Sequence, residues 1–224
     1  MSTSDPPLTE TPASVLRFWF EECDRTDWFS IGKTPQQRKT FDEALRARFG
    51  PTVELALGGG LVDWEEAGGR GPAAERDIDD SSPLSPHAGR LALIVLLDQL
   101  PRNIFRGSAR AFAGEARALA LADSLVADGS VSARTGDDAE LRRTMLLPFM
   151  HSERMEHQDL SVRLYAELAT HPPSEREGAG FAHMAVRHRD VIREFGRFIQ
   201  RDAALGRATS AVEAEALREG RATF

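Results

Sequence analysis

Residues 91–99 read L-A-L-I-V-L-L-D-Q, seven consecutive apolar residues followed by Asp98 and Gln99. An α-helix completes a turn in about 3.6 residues, so this run covers the whole circumference of a helix. A helix that is apolar on every side is buried inside its fold. The stretch therefore predicts a central helix that carries the Asp98 carboxylate into the interior, where it must be paired or hydrogen-bonded.

Signals for further helices recur along the rest of the chain. Thr11-Pro12 and Thr34-Pro35 are typical helix starts, with proline at the first helical position. Gln37 lies three residues after Thr34, and Glu213 lies three residues after Ser210, which is the spacing of a capping box. Sustained alternation of apolar and polar residues, the pattern of a β-strand, is absent from the sequence.

The predicted fold class is therefore all-α, a multi-helix array of stacked helical hairpins. The predicted helices start at Thr11, run from Thr34 through Phe49, from Pro51 to Gly58 and from Ser85 to Leu100, and cover about 113–127, 137–150, 156–169, 179–200 and 210–220. Pro101 is expected to end its helix, and Pro148 is expected to kink or stop its own. On the helix over 156–169 the expected core residues are Leu160, Leu164 and Leu168.

Length and composition favour one soluble helical domain over residues 1–224. With 224 residues, 41% of them hydrophobic, the chain can bury a sizeable core. Residues 1–11 are expected to be a flexible terminus, and residues 68–83, rich in glycine, proline and acidic side chains, a mobile loop. The core of the N-terminal third is expected to contain the packed aromatic side chains of Trp19, Trp28, Phe29 and Trp64.

Charge and cysteine content narrow the function classes. The formal net charge of -7 argues against a nucleic-acid surface, which needs a basic stripe. One cysteine, Cys23, allows no internal disulfide and no multi-thiolate zinc site. The N-terminal residues lack the pattern of a secretory signal, and the run Leu91–Leu97 is too short to span a bilayer. We expect a cytoplasmic protein with no nucleic-acid or membrane partner and no cofactor.

Three polar groups occupy positions where apolar residues are expected. Asp98 ends the apolar run described above. His151 and Glu153 follow M-L-L-P-F-M at 145–150, and His188 lies within an apolar stripe of the helix over 179–200. Arginine is the usual partner for buried carboxylates and for bound anions, and arginines lie just past these helix ends.

Two interpretations of these polar residues stay open. They could form a structural network that joins helix ends, or a pocket for a small anionic or polar ligand. In the second case His151, Glu153, His188 and Asp98 are the candidate catalytic residues. The candidate ligand-binding residues are Asp98, Gln99, Arg102, Asn103, Arg106, His151, His188, Arg189, Arg197 and Arg201.

The same region contains side chains of the kinds that bind metals. Glu153 and His157 are four residues apart, the spacing of neighbours on one helical face, and His151 is nearby. No H-E-x-x-H motif or second ligand cluster accompanies them, so no metal is predicted.

Several motifs resemble a known family. L-D-Q-L-P-R-N-I-F-R-G at 97–107, L-P-F-M-H-S-E at 147–153, R-H-R-D at 187–190 and F-G-R-F at 195–198 are similar to the bacterial domain of unknown function 924 family. The resemblance covers about residues 14–217 and implies an all-helical fold similar to tetratricopeptide-repeat proteins, with no established activity. Where the family typically reads F-P-H-R-N, this chain has F-I-Q-R-D at 198–202, so a histidine of that motif is missing.

Two functions follow as hypotheses. The first is a helical binding or interaction protein with a peptide or protein partner. The alternative is an enzyme or small-ligand binder, in which His151 or His188 acts as an acid or base and the arginines hold an anion. Oligomeric state, substrate and reaction type are not predicted by the sequence.

Overall fold

The computed structural model describes residues 10–23, 25–28, 32–66, 87–131, 139–170 and 175–222. Within these ranges the chain consists of helices and turns, without a strand, which confirms the all-α class. Residues 1–9 of the predicted flexible terminus, the predicted loop at 68–83, Phe29 and the predicted helix start at Ser85-Pro86 lie outside the described residues.

The chain divides into two compact units between Ile104 and Phe105. The α-helices of the first unit are α1 Pro12–Arg17, α2 Arg25–Trp28, α3 Pro35–Leu57, α4 Ala88–Ile94 and α5 Leu100–Ile104. Those of the second are α6 Glu115–Ala127, α7 Ala139–His151, α8 Met155–Ala169, α9 Glu175–Phe195, α10 Asp202–Leu205 and α11 Ala211–Arg218. Among the described helices, none has both the length and the hydropathy needed to cross a bilayer. A single domain over 1–224 stays a prediction.

The predicted capping boxes are present. The Thr34 side chain accepts a hydrogen bond from the Gln37 backbone N–H, and the Gln37 side chain accepts one from the Thr34 N–H. Ser210 and Glu213 do the same at α11. Because these bonds satisfy N–H groups that have no partner within the helix, they define where the helices begin.

The predicted helix start at Pro51 and the predicted helix end at Pro101 are wrong, since both prolines lie inside helical segments. Pro148 also lies inside its helix, so it does not stop it, and a kink there stays a prediction. Before Pro101 the helix widens into a π turn over Val95–Gln99, where the Leu100 N–H donates to the Val95 carbonyl. This local change accompanies the proline, which has no N–H and crowds the carbonyl four residues earlier. A helical proline costs about 3 kcal/mol, which the burial of two large apolar side chains offsets at about 1.5–3 kcal/mol each.

The core of the first unit is built on the apolar run. Every residue of Leu91–Leu97 is fully buried, as predicted. Trp19, Trp28 and Trp64 are also buried, and the rings of Trp19 and Trp28 stack with centroids 4.5 Å apart. The expected packing of these tryptophans is therefore confirmed.

In the second unit α7, α8 and α9 pack as successive antiparallel helices. Tyr165 of α8 stacks on Phe181 of α9 at 5.8 Å, and the Tyr165 hydroxyl donates to the Arg143 carbonyl of α7 at 2.7 Å. At the opposite end of the α8–α9 pair, the Phe198 N–H donates to Glu153 at 2.9 Å. These contacts define stacked hairpins and set their register.

The predicted core face of α8 is partly wrong. Leu160 and Leu164 are only partly buried, whereas the buried positions are Gln158, Ser161, Tyr165 and Leu168. That face follows helical spacings of three and four residues, and two of its four members, Gln158 and Ser161, are polar. Leu160 and Leu164 lie on its flank.

The last part of the unit forms a further core. The long helix α9 ends at Phe195, earlier than predicted, because Gly196 adopts a left-handed φ of 72°. The following 3-10 turn, Ile199–Arg201, leads directly into α10. The core consists of Val191, Ile192, Phe198, Ile199, Ala216 and Ala222.

Candidate functional site

The C-terminal end of α7 places His151 among buried side chains from other helices. The last carbonyls of a helix have no N–H partner within it, so they need donors from elsewhere. Gln158 Nε2 donates to the carbonyls of Met150 at 2.8 Å and Ser152 at 2.6 Å, with a weaker contact to Phe149. Arg201 Nη2 donates to the His151 carbonyl at 2.9 Å. Two side chains therefore hold the backbone that carries His151.

His151 and His188 form a pair of imidazoles. Their ring centroids are 6.1 Å apart, and His188 also meets the Phe198 ring edge-on at 5.6 Å. His188 is buried, whereas His151 is partly exposed. His188 Nδ1 lies 2.8 Å from the Met184 carbonyl, which can only accept, so Nδ1 carries the proton and Nε2 is an acceptor when the ring is neutral.

Next to this pair, carboxylates and arginines form a continuous network. Glu153 and Arg207 make two bonds of 2.8 and 3.0 Å, and Arg207 Nε donates to Asp202 at 2.8 Å. Arg197 binds the Asp202 carboxylate through two nitrogens, at 2.9 and 3.2 Å, and also contacts Glu213 at 2.9 Å. Asp202, at the start of α10, is fully buried.

The charges in this network stabilise one another. Burial by itself raises the pKa of Glu153, but the Arg207 guanidinium and the Phe198 N–H outweigh it, so the pKa lies below its ordinary value. Burial likewise raises the pKa of Asp202, but Arg197 and Arg207 lower it by more. The pKa of Asp202 therefore also lies below its ordinary value. The hydrogen bond with Glu153 raises the pKa of Arg207. Both carboxylates are therefore ionised at neutral pH.

Arg201 is the most deeply buried guanidinium beside the histidine pair. It binds Glu115 at 3.1 Å and lies over the rings of Phe112 and Phe198, at 4.9 and 4.4 Å. Such stacking suits the planar guanidinium and is available to arginine more than to lysine. Together with its bond to the His151 carbonyl, these contacts accompany the burial of Arg201, of which 6% is exposed.

The arginines near His188 are thus occupied by protein groups. Three guanidiniums, Arg197, Arg201 and Arg207, meet four carboxylates, Glu115, Glu153, Asp202 and Glu213, a formal charge of −1 for this described cluster. An anion site needs an excess of positive charge or donors. The geometry therefore favours a structural role for Arg197 and Arg201 over the anion-binding role predicted for them.

In the first unit the predicted burial and pairing of Asp98 are confirmed. Asp98 is fully buried and accepts from Arg102 Nη2 at 2.9 Å, one turn later in the helix. Gln99 also donates to this carboxylate. Asn103, five residues after Asp98, is buried as well. Arg102, which follows the apolar run, is therefore the arginine that pairs with Asp98, as predicted.

The other predicted residues are distributed between the units. Arg106 is exposed, and Arg189 is partly exposed beside Asp190 at 3.4 Å. Asp98, Gln99, Arg102 and Asn103 belong to the first unit, and Arg106, His151, Glu153, His188, Arg189, Arg197 and Arg201 belong to the second. Within the second unit His151, Glu153, His188, Arg197 and Arg201 converge. One pocket for the whole set stays a prediction.

The helical face proposed for Glu153 and His157 is wrong. The helix α8 begins at Met155, so Glu153 lies before it and pairs with Arg207, while His157 shares a hydrogen bond of 2.8 Å with the Ser152 hydroxyl. Among the described residues, no group of three or more side chains is arranged to hold a metal ion.

Four residues of this region escaped sequence reasoning: Gln158, Ser161, Asp202 and Arg207. Gln158 and Ser161 could have been found, because they are in register with Tyr165 and Leu168 at spacings of three and four. Asp202 and Arg207 carried no such signal, since their positions follow from distant contacts.

Comparisons with known proteins agree with this architecture. The sequence model of a family described as "Bacterial protein of unknown function (DUF924)" matches residues 15–221. The solved structure of a protein of unknown function, ATU0120, from Agrobacterium tumefaciens is similar, with 29% identity and a TM-score of 0.70 over 93% of this chain and 97% of that one. No curated protein matches the chain significantly.

Proposed function

This chain belongs to the DUF924 family of bacterial proteins of unknown function, and we propose that it binds a small polar ligand beside the imidazoles of His151 and His188. The observation that carries the proposal is the 6.1 Å separation of the two rings, one buried and one partly exposed. A partly exposed His151 gives access from solvent. The buried His188 then meets the ligand away from competing water.

The chemistry of the pair suits a polar ligand. Histidine exchanges a proton near neutral pH, so a bound group can be held or exchange a proton with either ring. Because His188 Nδ1 is tied to the Met184 carbonyl, the acceptor Nε2 is the atom of that ring with which a ligand donor would interact. Catalysis would need such a contact, and the proposal covers binding with or without a reaction.

The surroundings support a preorganised site. Gln158 donates to the carbonyls of Met150 and Ser152, and Arg201 donates to the carbonyl of His151 itself. The Glu153–Arg207 pair anchors the next turn of chain. Side chains that are already held in place lose less conformational freedom when a ligand binds. The network thus has a structural part in the proposed site and leaves the ligand contacts to the imidazoles.

The protein-partner hypothesis has weaker support. Among the residues that the structure describes, the exposed large aliphatic side chains are Leu55 and Val62 in the first unit and Val212 in the second. Isolated exposed aliphatic residues are ordinary on protein surfaces, whereas a contiguous patch would indicate a docking surface. We also propose that the hairpins stack in the manner of tetratricopeptide repeats and that the protein acts in the bacterial cytoplasm, as its single cysteine favours.

A screen of neutral, cationic and anionic metabolites by thermal shift tests the proposal. A ligand that binds the folded state raises its melting temperature, and each hit would then be titrated by calorimetry. We expect His151→Ala to weaken a hit at least tenfold. His183→Ala, an exposed histidine on α9, is the matched control and should leave the affinity within about twofold.

Two results would contradict the proposal. One is a hit that binds wild type and His151→Ala equally well. The other is a screen in which no compound stabilises the wild-type protein at millimolar concentration.

A further inference from the structure

We propose that Ser152 and His157 form a nucleophile–base pair that transfers the acyl group of a small ester. This inference goes beyond the proposed function, because it adds a reaction and uses neither imidazole of the His151–His188 pair. It is carried by the 2.8 Å hydrogen bond between the Ser152 hydroxyl and His157 Nδ1. Both side chains are partly exposed, so a substrate can approach them from solvent.

The Ser152 hydroxyl lies between a backbone donor and an imidazole. The Arg154 N–H donates to Ser152 Oγ at 3.2 Å, and the same oxygen lies 2.8 Å from His157 Nδ1. When the neutral imidazole carries its proton on Nε2, Nδ1 accepts the serine O–H. A serine hydroxyl within hydrogen-bond distance of a basic nitrogen is the arrangement that activates it as a nucleophile, since histidine exchanges protons near neutral pH.

Neighbouring residues hold both members of the pair in place. Gln158 Nε2 donates to the Ser152 carbonyl at 2.6 Å, and the next residue, Glu153, is fixed by its ion pair with Arg207. The edge of the Phe149 ring contacts the His157 ring, with centroids 6.1 Å apart. A nucleophile and base that are already positioned lose little conformational freedom when the reaction begins.

The start of α8 supplies a favourable electrostatic environment for Ser152 Oγ. This helix has 15 residues and begins at Met155, directly after the Arg154 N–H that binds the serine oxygen. The first N–H groups of a helix have no carbonyl partner within it, and the helix dipole is positive at that end. Negative charge that develops on the oxygen as its proton leaves is therefore stabilised.

Helix capping alone does not explain the imidazole. Ser108 Oγ also accepts a hydrogen bond at 3.2 Å from the backbone N–H two residues later, that of Arg110. Within the described part of the chain no imidazole accompanies Ser108. The serine–backbone bond is thus sufficient for such a turn, and the contact with His157 is what distinguishes Ser152.

The reaction passes the acyl group from the ester to Ser152 and then to water. Ser152 Oγ attacks the carbonyl carbon while its proton moves to His157 Nδ1. The bond from that carbon to the alcohol oxygen breaks, and the alcohol leaves with the proton from the imidazole. Water then attacks the acyl-serine and gives a proton to Nδ1, which returns it to Oγ as the acid leaves. One ester and one water thus give one acid and one alcohol.

A fluorophosphonate probe tests the pair, because it reacts with activated serine hydroxyls. Ser152 Oγ bonds to phosphorus, fluoride leaves, and the proton moves to His157 Nδ1. Peptide mass spectrometry measures the labelled fraction of each serine. Ser108 is the internal control, since it has the same backbone hydrogen bond and is more exposed. We expect Ser152 to be labelled about tenfold faster than Ser108 or more, because a positioned base contributes that much.

Two variants and one denaturant assign the effect to the pair. His157→Gln should lower the labelling of Ser152 to the level of Ser108, whereas His183→Gln, at an exposed histidine of α9, should leave it unchanged. Concentrated urea should abolish the preference in the wild-type protein, which tests the folded pair without any substitution. Hydrolysis of p-nitrophenyl acetate should fall about tenfold or more in Ser152→Ala.

Four results would overturn the inference. They are equal labelling of Ser152 and Ser108, a preference that persists in urea, labelling that His157→Gln leaves unchanged, and hydrolysis that Ser152→Ala leaves unchanged. None of these results depends on His151 or His188, so the proposed function would stand.

Discussion

Replacing Arg207 by methionine tests whether the ion-pair network holds the second unit together. Arg207 joins three elements, because it binds Glu153 before α8, Asp202 at the start of α10, and the Phe198 carbonyl at 2.9 Å. Methionine keeps an unbranched side chain of moderate length and removes the charge and all donors. The variant leaves Asp202 with Arg197, and it leaves Glu153 with the Phe198 N–H.

The expected loss follows from burial. Removing one partner of a buried ion pair costs about 3–5 kcal/mol, because the other charge stays buried. The Arg207 side chain is 27% exposed, so solvent screens part of the interaction. We therefore expect a decrease of about 2–3 kcal/mol in the free energy of unfolding. For a chain of this size that corresponds to roughly 4–12 °C in melting temperature.

The assay is urea unfolding followed by far-UV circular dichroism, which reports on all helices. Tryptophan fluorescence is unsuitable, since Trp19, Trp28 and Trp64 are the only tryptophans and all belong to the first unit. The control is Arg193→Met, whose side chain is 57% exposed and pairs with Asp190 at 2.9 Å. An exposed pair of this kind is worth about 0–1 kcal/mol.

The effect should depend on pH in a defined direction. The pKa values of Glu153 and Asp202 in the folded state lie below the ordinary values of 4.5 and 3.8 for these side chains. Their contribution is therefore fully present above about pH 5 and is lost as the pH falls through the folded-state values. The difference between wild type and Arg207→Met should be largest near pH 7 and narrow below about pH 4.5. Equal losses for Arg207→Met and Arg193→Met, or a difference that stays constant with pH, would refute the reasoning.

Two further substitutions address single features. Arg102→Met removes the guanidinium that pairs with the fully buried Asp98, so we expect the free energy of unfolding to fall by about 2–4 kcal/mol. Urea unfolding followed by tryptophan fluorescence measures this loss, and adding Asp98→Asn should recover part of it. A double variant less stable than the single one would contradict this. Ser210→Ala removes a capping box and should cost about 1 kcal/mol by circular dichroism. No measurable loss there would mean that packing alone defines the start of α11.

Much of the fold could be read from the sequence because its signals are local. The capping residues Thr34 and Ser210 act on N–H groups within four residues, and both helix starts are where the pattern predicts them. The apolar run Leu91–Leu97 is fully buried for an equally local reason, since no side of that helix tolerates water. The helix boundaries predicted at Pro51 and Pro101 failed because they treated a local penalty as decisive, whereas burial of the flanking apolar residues outweighs it.

The candidate site was only partly predictable. His151, His188 and Glu153 were found because a polar residue next to an apolar stretch is visible in the sequence. The polar face of α8 was missed because three leucines of similar spacing, Leu160, Leu164 and Leu168, drew the prediction to the flank of the true buried face. Glutamine and serine have no apolar signal of their own, and only contact with α7 shows why Gln158 is buried.

By itself the sequence determined that this protein is helical, where several helices begin, and that Asp98 and His188 must leave water. Tertiary structure alone decided which groups meet them. Glu153 pairs with Arg207, 54 residues away, and Arg201 binds Glu115, 86 residues away. The physical reason is range: capping and helical periodicity act over a few residues, whereas an ion pair forms between whichever charges the packed helices bring within about 3 Å of each other.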